Sequence, residues 1–508
     1  MYRRALVALL SVLFTASLIA QAPQAPSRDN PQPPATAGTP QQAPQKPANP
    51  ETKITPQQAQ ELFRDIDSLL KWVSADTKLP IHNEVKKKLS SRDEVQKYVE
   101  DNMKDDEDTK RFERSAVVLK KFGFLPRDFQ LRPFLLKMLR EQVAGFYDAK
   151  TKTVYLLDWV QPEIQRPVMA HELTHALQDQ NFDLQKFGKE TARNDAEKRG
   201  DINTAVSLDE VSTARTAMVE GQGMISLVDY MLKDYGRTAA DAPEAVDMLG
   251  SSMEKSNDSP VFEEAPMLLR ESLLFPYQSG MKFVDQVLIA KGKDGAFAGM
   301  FARPPQTSYE VMNPQQYLAG KVPTQVALPD LAKLLGKGYA EYDLGAMGEL
   351  DVELFLKQFS DVAMTKALTP QWDGGAYYAA LKKDADPQQT SSIALVYVGQ
   401  WKSPEAAQAF AKVYAASVLK KYSSVHAAEC SPCDQGERRW NTEEGFVQVV
   451  QRGPRVAVTE GVDQPTALKL RDAVLGGTGE QLSAGKGELT LRAIPQWMRA
   501  MIMTRFVQ

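Results

Sequence analysis

One run constrains this chain more than any other. Val168-Met169-Ala170-His171-Glu172-Leu173-Thr174-His175-Ala176-Leu177 is an apolar, helix-length stretch with two histidines and a glutamate in its middle. Val168, Met169, Ala170, Leu173, Ala176 and Leu177 call for a buried helix. His171 and His175 stand four residues apart, so on a helix both rings lie on one face and grip the same ion. The whole chain of 508 residues holds four histidines, and half of them are in this window. Zinc takes nitrogen ligands at about 2.0–2.1 Å in a tetrahedral set, and a helical pair supplies two corners at little conformational cost. Glu172, one residue along, falls beside the ion, where a carboxylate takes a proton from water and passes it to a leaving amine.

The third ligand has to come from elsewhere. A histidine at position 181 would mark the metzincin pattern, but Asn181 stands there and Gln178 replaces the glycine. A glutamate from another helix is the gluzincin solution, with Glu190, Glu197, Glu210 and Glu220 as candidates. Glu190 and Glu197 sit in a charge-rich stretch that reads as solvated. Glu220 is the one acid on the packed face of an otherwise apolar helix, and Ala217, Gly221 and Gly223 around it allow close approach to the histidine helix. Glu220 is therefore the expected ligand, followed by Glu210 and then His426.

Three further roles are expected around this centre. Asp179, four residues beyond His175, is placed to accept the second ring N–H of a ligand histidine. Tyr277, in a Phe-Pro-Tyr turn, is the candidate donor to the oxyanion, with Tyr230 as competitor. Val154 to Leu157 reads as an edge strand that aligns an extended peptide.

The rest of the chain sets the context. Met1-Tyr2-Arg3-Arg4 followed by the apolar run Ala5 to Ala20 reads as a secretory signal, 1–20, too short to span a bilayer comfortably. Residues 21–52 are a Pro/Gln-rich spacer that cannot bury enough apolar surface to fold. A net charge of -4 carries no basic excess, so no nucleic-acid partner is expected. Two cysteines exclude a disulfide-dense scaffold and a four-thiolate zinc cage, and Cys430-Ser431-Pro432-Cys433 reads as a disulfide pinning a loop. Residues 56–139 read as mostly helical, with Lys86-Lys87-Lys88 a solvated helix face. Near the C-terminus, strand-like 376–378 and 393–398, a helix 404–421, a hairpin 446–450 with 456–459 and a helix 466–474 give β-β-α-β-β-α order.

His171 to Leu184, HELTHALQDQNFDL, resembles a secreted bacterial HExxH zinc-metallopeptidase family of gluzincin-like type. Phe146-Tyr147-Asp148, Val219-Glu220-Gly221 and Leu274-Phe275-Pro276-Tyr277-Gln278-Ser279-Gly280 are further landmarks of that likeness, which covers Val143 to Pro314. The resemblance implies peptide-bond hydrolysis and adds weight to Glu220 as third ligand. It departs at Tyr309 and Asn313, where the family pattern has an acid and a histidine.

The expectation is thus an α+β protein. A mainly helical, zincin-like peptidase domain with a small β-sheet occupies 53–358, and a smaller α+β domain with an antiparallel sheet occupies 365–480. The expected activity is that of an exported, periplasmic or extracellular zinc metallopeptidase with a peptide or protein substrate, touching the membrane only through its signal segment. Its rivals are a non-catalytic envelope scaffold with a degenerate site and a zinc hydrolase of a non-peptide bond.

Overall fold

Two bodies of structure share one apolar core, and the candidate centre lies in the first. A computed structural model describes residues 53–102, 107–134, 137, 146–160, 162–188, 208–255, 260–431, 433 and 436–476. The expected signal segment and spacer lie outside these. No helix among the described residues is long and apolar enough to cross a membrane.

The first body is built on helices. Helix α1 (Pro56–Thr77) starts at a capping box, in which Thr55 and Gln58 satisfy each other's backbone N–H groups. It buries Leu62, Ile66, Leu69, Leu70 and Val73 at helical spacing. After it come α2 (Arg92–Asn102), α3 (Glu107–Phe122) and the histidine-bearing α4 (Pro162–Phe182). Helix α5 (Leu208–Leu232) is buried over most of its length, its polar Thr213, Thr216, Glu220, Gln222, Ser226 and Asp229 included, so it is enclosed on nearly every side. It packs on α4 and on the long α7 (Met267–Ala296), with α6 (Pro243–Lys255) outside. The α5–α7 crossing is unusually close. A Cβ on Gly221 would fall 2.2 Å from the carbonyl oxygen of Gly280, and one on Gly280 would fall 2.1 Å from that of Ala217. Phe275-Pro276-Tyr277 lies inside α7 rather than in the expected turn.

Beside the helices stands a three-stranded sheet ordered β1-β3-β2, from β1 (Lys86–Ser90), β2 (Phe146–Asp148) and β3 (Thr153–Leu157). Two expectations are corrected here. Lys86-Lys87-Lys88 is not a helix face but the start of β1, parallel to β3 with Lys86 opposite Thr153 and Ser90 opposite Leu157. Because β1 covers one side of β3 and the antiparallel β2 covers the other, strand 154–157 is central, not an edge. The strand on the α4 side is β2.

The second body is a seven-stranded antiparallel sheet ordered β4-β5-β6-β10-β9-β8-β7. Its strands are β4 (Tyr339–Ala346), β5 (Trp372–Lys382), β6 (Ile393–Trp401), β7 (Val425–Ala427), β8 (Arg438–Thr442), β9 (Gly445–Arg452) and β10 (Arg455–Val462). The expected β-β-α-β-β-α core is there, widened by β4, β7 and β8. The sheet takes its first strand from residues placed in the preceding domain by the sequence. Strand alternation divides its residues between two faces. Ala376, Tyr378, Ala394, Val396, Val398 and Ala457 pack under residues 326–335 and the helix Gln464–Leu475. Tyr377, Ala379, Leu395, Tyr397, Val456 and Val458 join the main core, which runs from Ile54 to Val458. That face is covered by Pro404–Lys421, Glu349–Phe359 and the end of α3.

Candidate metal centre

Helix α4 turns His171 and His175 toward α5, and α5 returns Glu220. His171 Nε2 lies 2.9 Å from His175 Nε2 and 3.1 Å from Glu220 Oε2, and His175 Nε2 lies 3.5 Å from the same oxygen. Two imidazoles that meet through lone pairs repel unless something positive sits between them. A tetrahedral set with bonds of about 2.0–2.1 Å spaces its ligand atoms by about 3.3–3.4 Å, and the observed edges of 2.9, 3.1 and 3.5 Å lie around that value, two of them shorter. Glu220 Oε1 is buried and has no hydrogen-bond partner, as expected of a carboxylate built for something other than a side-chain partner. These three could hold a metal ion, and among the described residues they are the only His/Cys/Asp/Glu group that could.

Burial dominates the electrostatics. His171 is 1% exposed, and Glu172, His175 and Glu220 are 0% exposed. Burial, reinforced by the charge of His175, pushes the His171 pKa down. Burial acts the same way on His175, but the neighbouring Glu220 carboxylate outweighs it and the pKa rises. Glu220 is lowered because the two histidines outweigh its own burial penalty. Glu172 is pushed up to about 8 by burial, with His175 working against the rise.

Glu172 is anchored from the sheet. The backbone N–H of Tyr147 on β2 donates to Glu172 Oε2 at 3.1 Å, while Oε1 is buried without a hydrogen-bond partner. Gly223, three residues after Glu220 and on the same side of α5, makes room for the first ligand: a Cβ there would sit 2.7 Å from both Cε1 and Nδ1 of His171. Of the small residues expected to admit the histidine helix, Gly223 does so. Ala217 and Gly221 serve the α5–α7 crossing instead.

The other expected residues divide. The Tyr277 ring is buried with its centroid 6.4 Å from that of His171, so it borders the centre. Tyr230 does not; it packs edge-on against Trp72 at 5.3 Å. Asp179 holds no ligand histidine. It accepts from Tyr147 Oη at 2.8 Å, Lys152 Nζ at 2.6 Å and the Leu184 N–H at 3.2 Å, tying β2 and the β2–β3 turn to the end of α4. The ring N–H expected to reach Asp179 is answered one residue earlier, where His175 Nδ1 lies 2.7 Å from Gln178 Oε1. Glu210 is turned away, accepting from Ser308 N at 2.8 Å and Ser308 Oγ at 2.6 Å. His426 sits on β7 beside Ser424 Oγ. Glu190 and Glu197 lie outside the described residues. Tyr309 packs near Trp372, and Asn313 bridges the Tyr309 carbonyl and Glu349. Cys430 and Cys433 pair as a disulfide.

The roles that the sequence did not signal are those of Gln178, Gln222 and Tyr147. A neutral amide carries no charge or spacing signal, and Tyr147 acts through its backbone as well as its hydroxyl.

Compared with known proteins, residues 338–471 match a family model described as a domain of unknown function (DUF8575). The match covers the seven-stranded sheet and stops well short of the metal centre. No curated protein and no solved structure matches the chain.

Proposed function

We propose that this chain is an exported zinc metallopeptidase of the gluzincin-like HExxH type, acting on a peptide or protein substrate. The observation that carries this reading is the buried triangle of His171, His175 and Glu220 with Glu172 alongside, held by the Tyr147 N–H. A helix carrying the two histidines, a second helix returning the acid and a small sheet against the first support a zincin-like arrangement. The HELTHALQDQ likeness supports the family assignment. The signal-like segment 1–20 is the ground for placing the chain outside the cytoplasm, a compartment in which a Cys430–Cys433 disulfide would persist.

Within this reading the two imidazoles and the Glu220 carboxylate are the metal ligands. Bound zinc supplies Lewis-acid polarisation of the scissile carbonyl and makes a nearby water more acidic. Glu172 is the general base and then the proton donor to the leaving amine; burial raises its pKa in the metal-free site, and a bound cation beside it would lower it again toward the base form. Tyr277, beside His171, is the donor that steadies the oxyanion. Strand β2 rather than β3 is the rim along which a peptide would run.

Elemental analysis of the purified protein is expected to find about one zinc per chain, lost in His175→Ala. Glu172→Gln should keep the zinc and lower peptide hydrolysis at least about 100-fold. Hydrolysis retained by Glu172→Gln removes the mechanism. One observation favours a second reading, a metal site that braces helices without turnover: all four residues are almost fully enclosed. Zinc with no hydrolysis of any unfolded protein or peptide library would select that reading.

A further inference from the structure

A chain of two amides, Gln222 in the middle of α5 and Gln178 on α4, runs from the end of α7 to His175. Gln178 Oε1 lies 2.7 Å from His175 Nδ1, and Gln178 Nε2 faces two acceptors, Gln222 Oε1 at 2.7 Å and the Val219 carbonyl at 3.2 Å. Gln222 Nε2 faces the carbonyls of Ala296 at 2.6 Å and Phe297 at 3.1 Å, where α7 ends. Both glutamines are fully buried.

An amide can be turned end for end, so its neighbours decide which end is oxygen. Here the outermost neighbours are backbone carbonyls, which only accept. Gln222 must give them its N–H groups, which leaves its oxygen toward Gln178. Gln178 must then give its N–H groups to that oxygen and to Val219, which leaves its own oxygen toward His175. Turning either amide sets oxygen against oxygen in a dry interior, at about 1–3 kcal/mol for each group left unsatisfied. A polarity established at the end of α7 is carried through two side chains to an imidazole on α4.

We propose that Gln178 and Gln222 form a one-way hydrogen-bond relay that holds His175 in its Nδ1–H tautomer, so that the Nε2 lone pair faces the point shared with His171 and Glu220. Both are positioning residues. The inference rests on the metal-centre reading and is independent of peptide hydrolysis. It makes His175 a ligand preset before any metal arrives, the state in which binding costs least reorganisation.

The test reads the tautomer directly. The full chain is labelled with ¹⁵N in histidine alone, stripped of metal and held at alkaline pH, where the rings are neutral. Four histidines give four ring patterns, and His175→Ala identifies the one that matters. Long-range ¹H–¹⁵N correlation is expected to show His175 with its proton on Nδ1. Gln178→Leu should turn that pattern into a mixture of tautomers and weaken zinc binding, by chelator competition, about 10–100-fold. Gln222→Leu should do less, because Gln178 keeps Val219 as an acceptor. A wild-type ring protonated on Nε2 overturns the relay. So does Gln178→Leu with unchanged tautomer and zinc affinity. If Gln178→Leu does not fold, the wild-type spectrum decides alone. A chain with the Nδ1–H tautomer and no affinity for zinc would support the relay while removing the metal reading, so the two fail separately.

Discussion

Gly223 contributes to the metal centre by having no side chain. A Cβ there would fall 2.7 Å from the His171 ring, which has to swing off the shared point to make room. Alanine favours a helix over glycine by about 0.5–1 kcal/mol, so Gly223→Ala should leave the metal-free protein about as stable as before. Zinc affinity should nevertheless fall about 10-fold or more, since displaced ligands lose affinity on that scale. Chelator competition together with a melt of the metal-free protein checks both halves; unchanged affinity would mean that His171 does not bind where the triangle puts it. At this scale the sequence was informative where chemistry comes with a spacing. The four-residue step between His171 and His175 names a shared face, and Glu220 stands out as one acid among small and apolar neighbours. Asp179 had the right step but the wrong role. Gln178 lies nearer the ring nitrogen, and Tyr147, Lys152 and the Leu184 N–H already occupy the Asp179 carboxylate. The amides gave no signal because a glutamine's role is defined only by what surrounds it.

Among elements, the close crossing of α5 and α7 decides whether Glu220 reaches α4 at all. Gly280→Ala would drive a Cβ to 2.1 Å from the Ala217 carbonyl oxygen, and backbone cannot rotate aside as a side chain can. The expected cost is about 1–3 kcal/mol, read as a lower midpoint in denaturant, in the range of overpacked interiors. A midpoint equal to wild type would show that the two helices have slack there. Helix α1 was readable because its apolar positions repeat at the helical period, and α4 and α5 because they are long runs rich in apolar and small residues. Strand β1 was not: Lys-Lys-Lys-Leu-Ser has no alternation, and what makes it a strand is the parallel partner β3, more than sixty residues along by register. Its lysines suit an edge, which keeps other chains from pairing there. Missing β1 produced the second error, because β3 looks like an edge only when its far neighbour is unknown. Pro276 misled differently. It removes one helical hydrogen bond, but Phe275, Tyr277 and their neighbours are buried on several sides, and packing carries the helix through.

At the scale of the whole molecule, the sheet recognised by the family match is not covered by its own residues alone. Phe122, at the end of α3, meets Tyr377 and Tyr397 edge-on at 5.5 Å and 6.2 Å, and Phe124 meets Phe355 at 5.9 Å. Lys121 is fully buried and pairs with Glu444 in the β8–β9 turn at 2.7 Å, next to the buried cluster of Glu460, Lys421, Tyr414 and Tyr422. On the opposite face Val326, Leu328, Leu331 and Leu335 come from outside residues 338–471. No periodicity within 338–471 announces that a helix two hundred residues earlier closes one face, which is why a boundary near 358–365 looked natural from the sequence. A fragment of residues 338–471 should therefore be left with large aromatic side chains exposed on one face and an open groove on the other. It is expected to bind a hydrophobic dye and to melt without a sharp transition, whereas the full chain melts cooperatively. A fragment of residues 326–476 regains the second face only, and should fall between the two. If 338–471 alone melts as sharply as the full chain and binds no dye, the contacts from α3 are dispensable and the sheet is an autonomous domain.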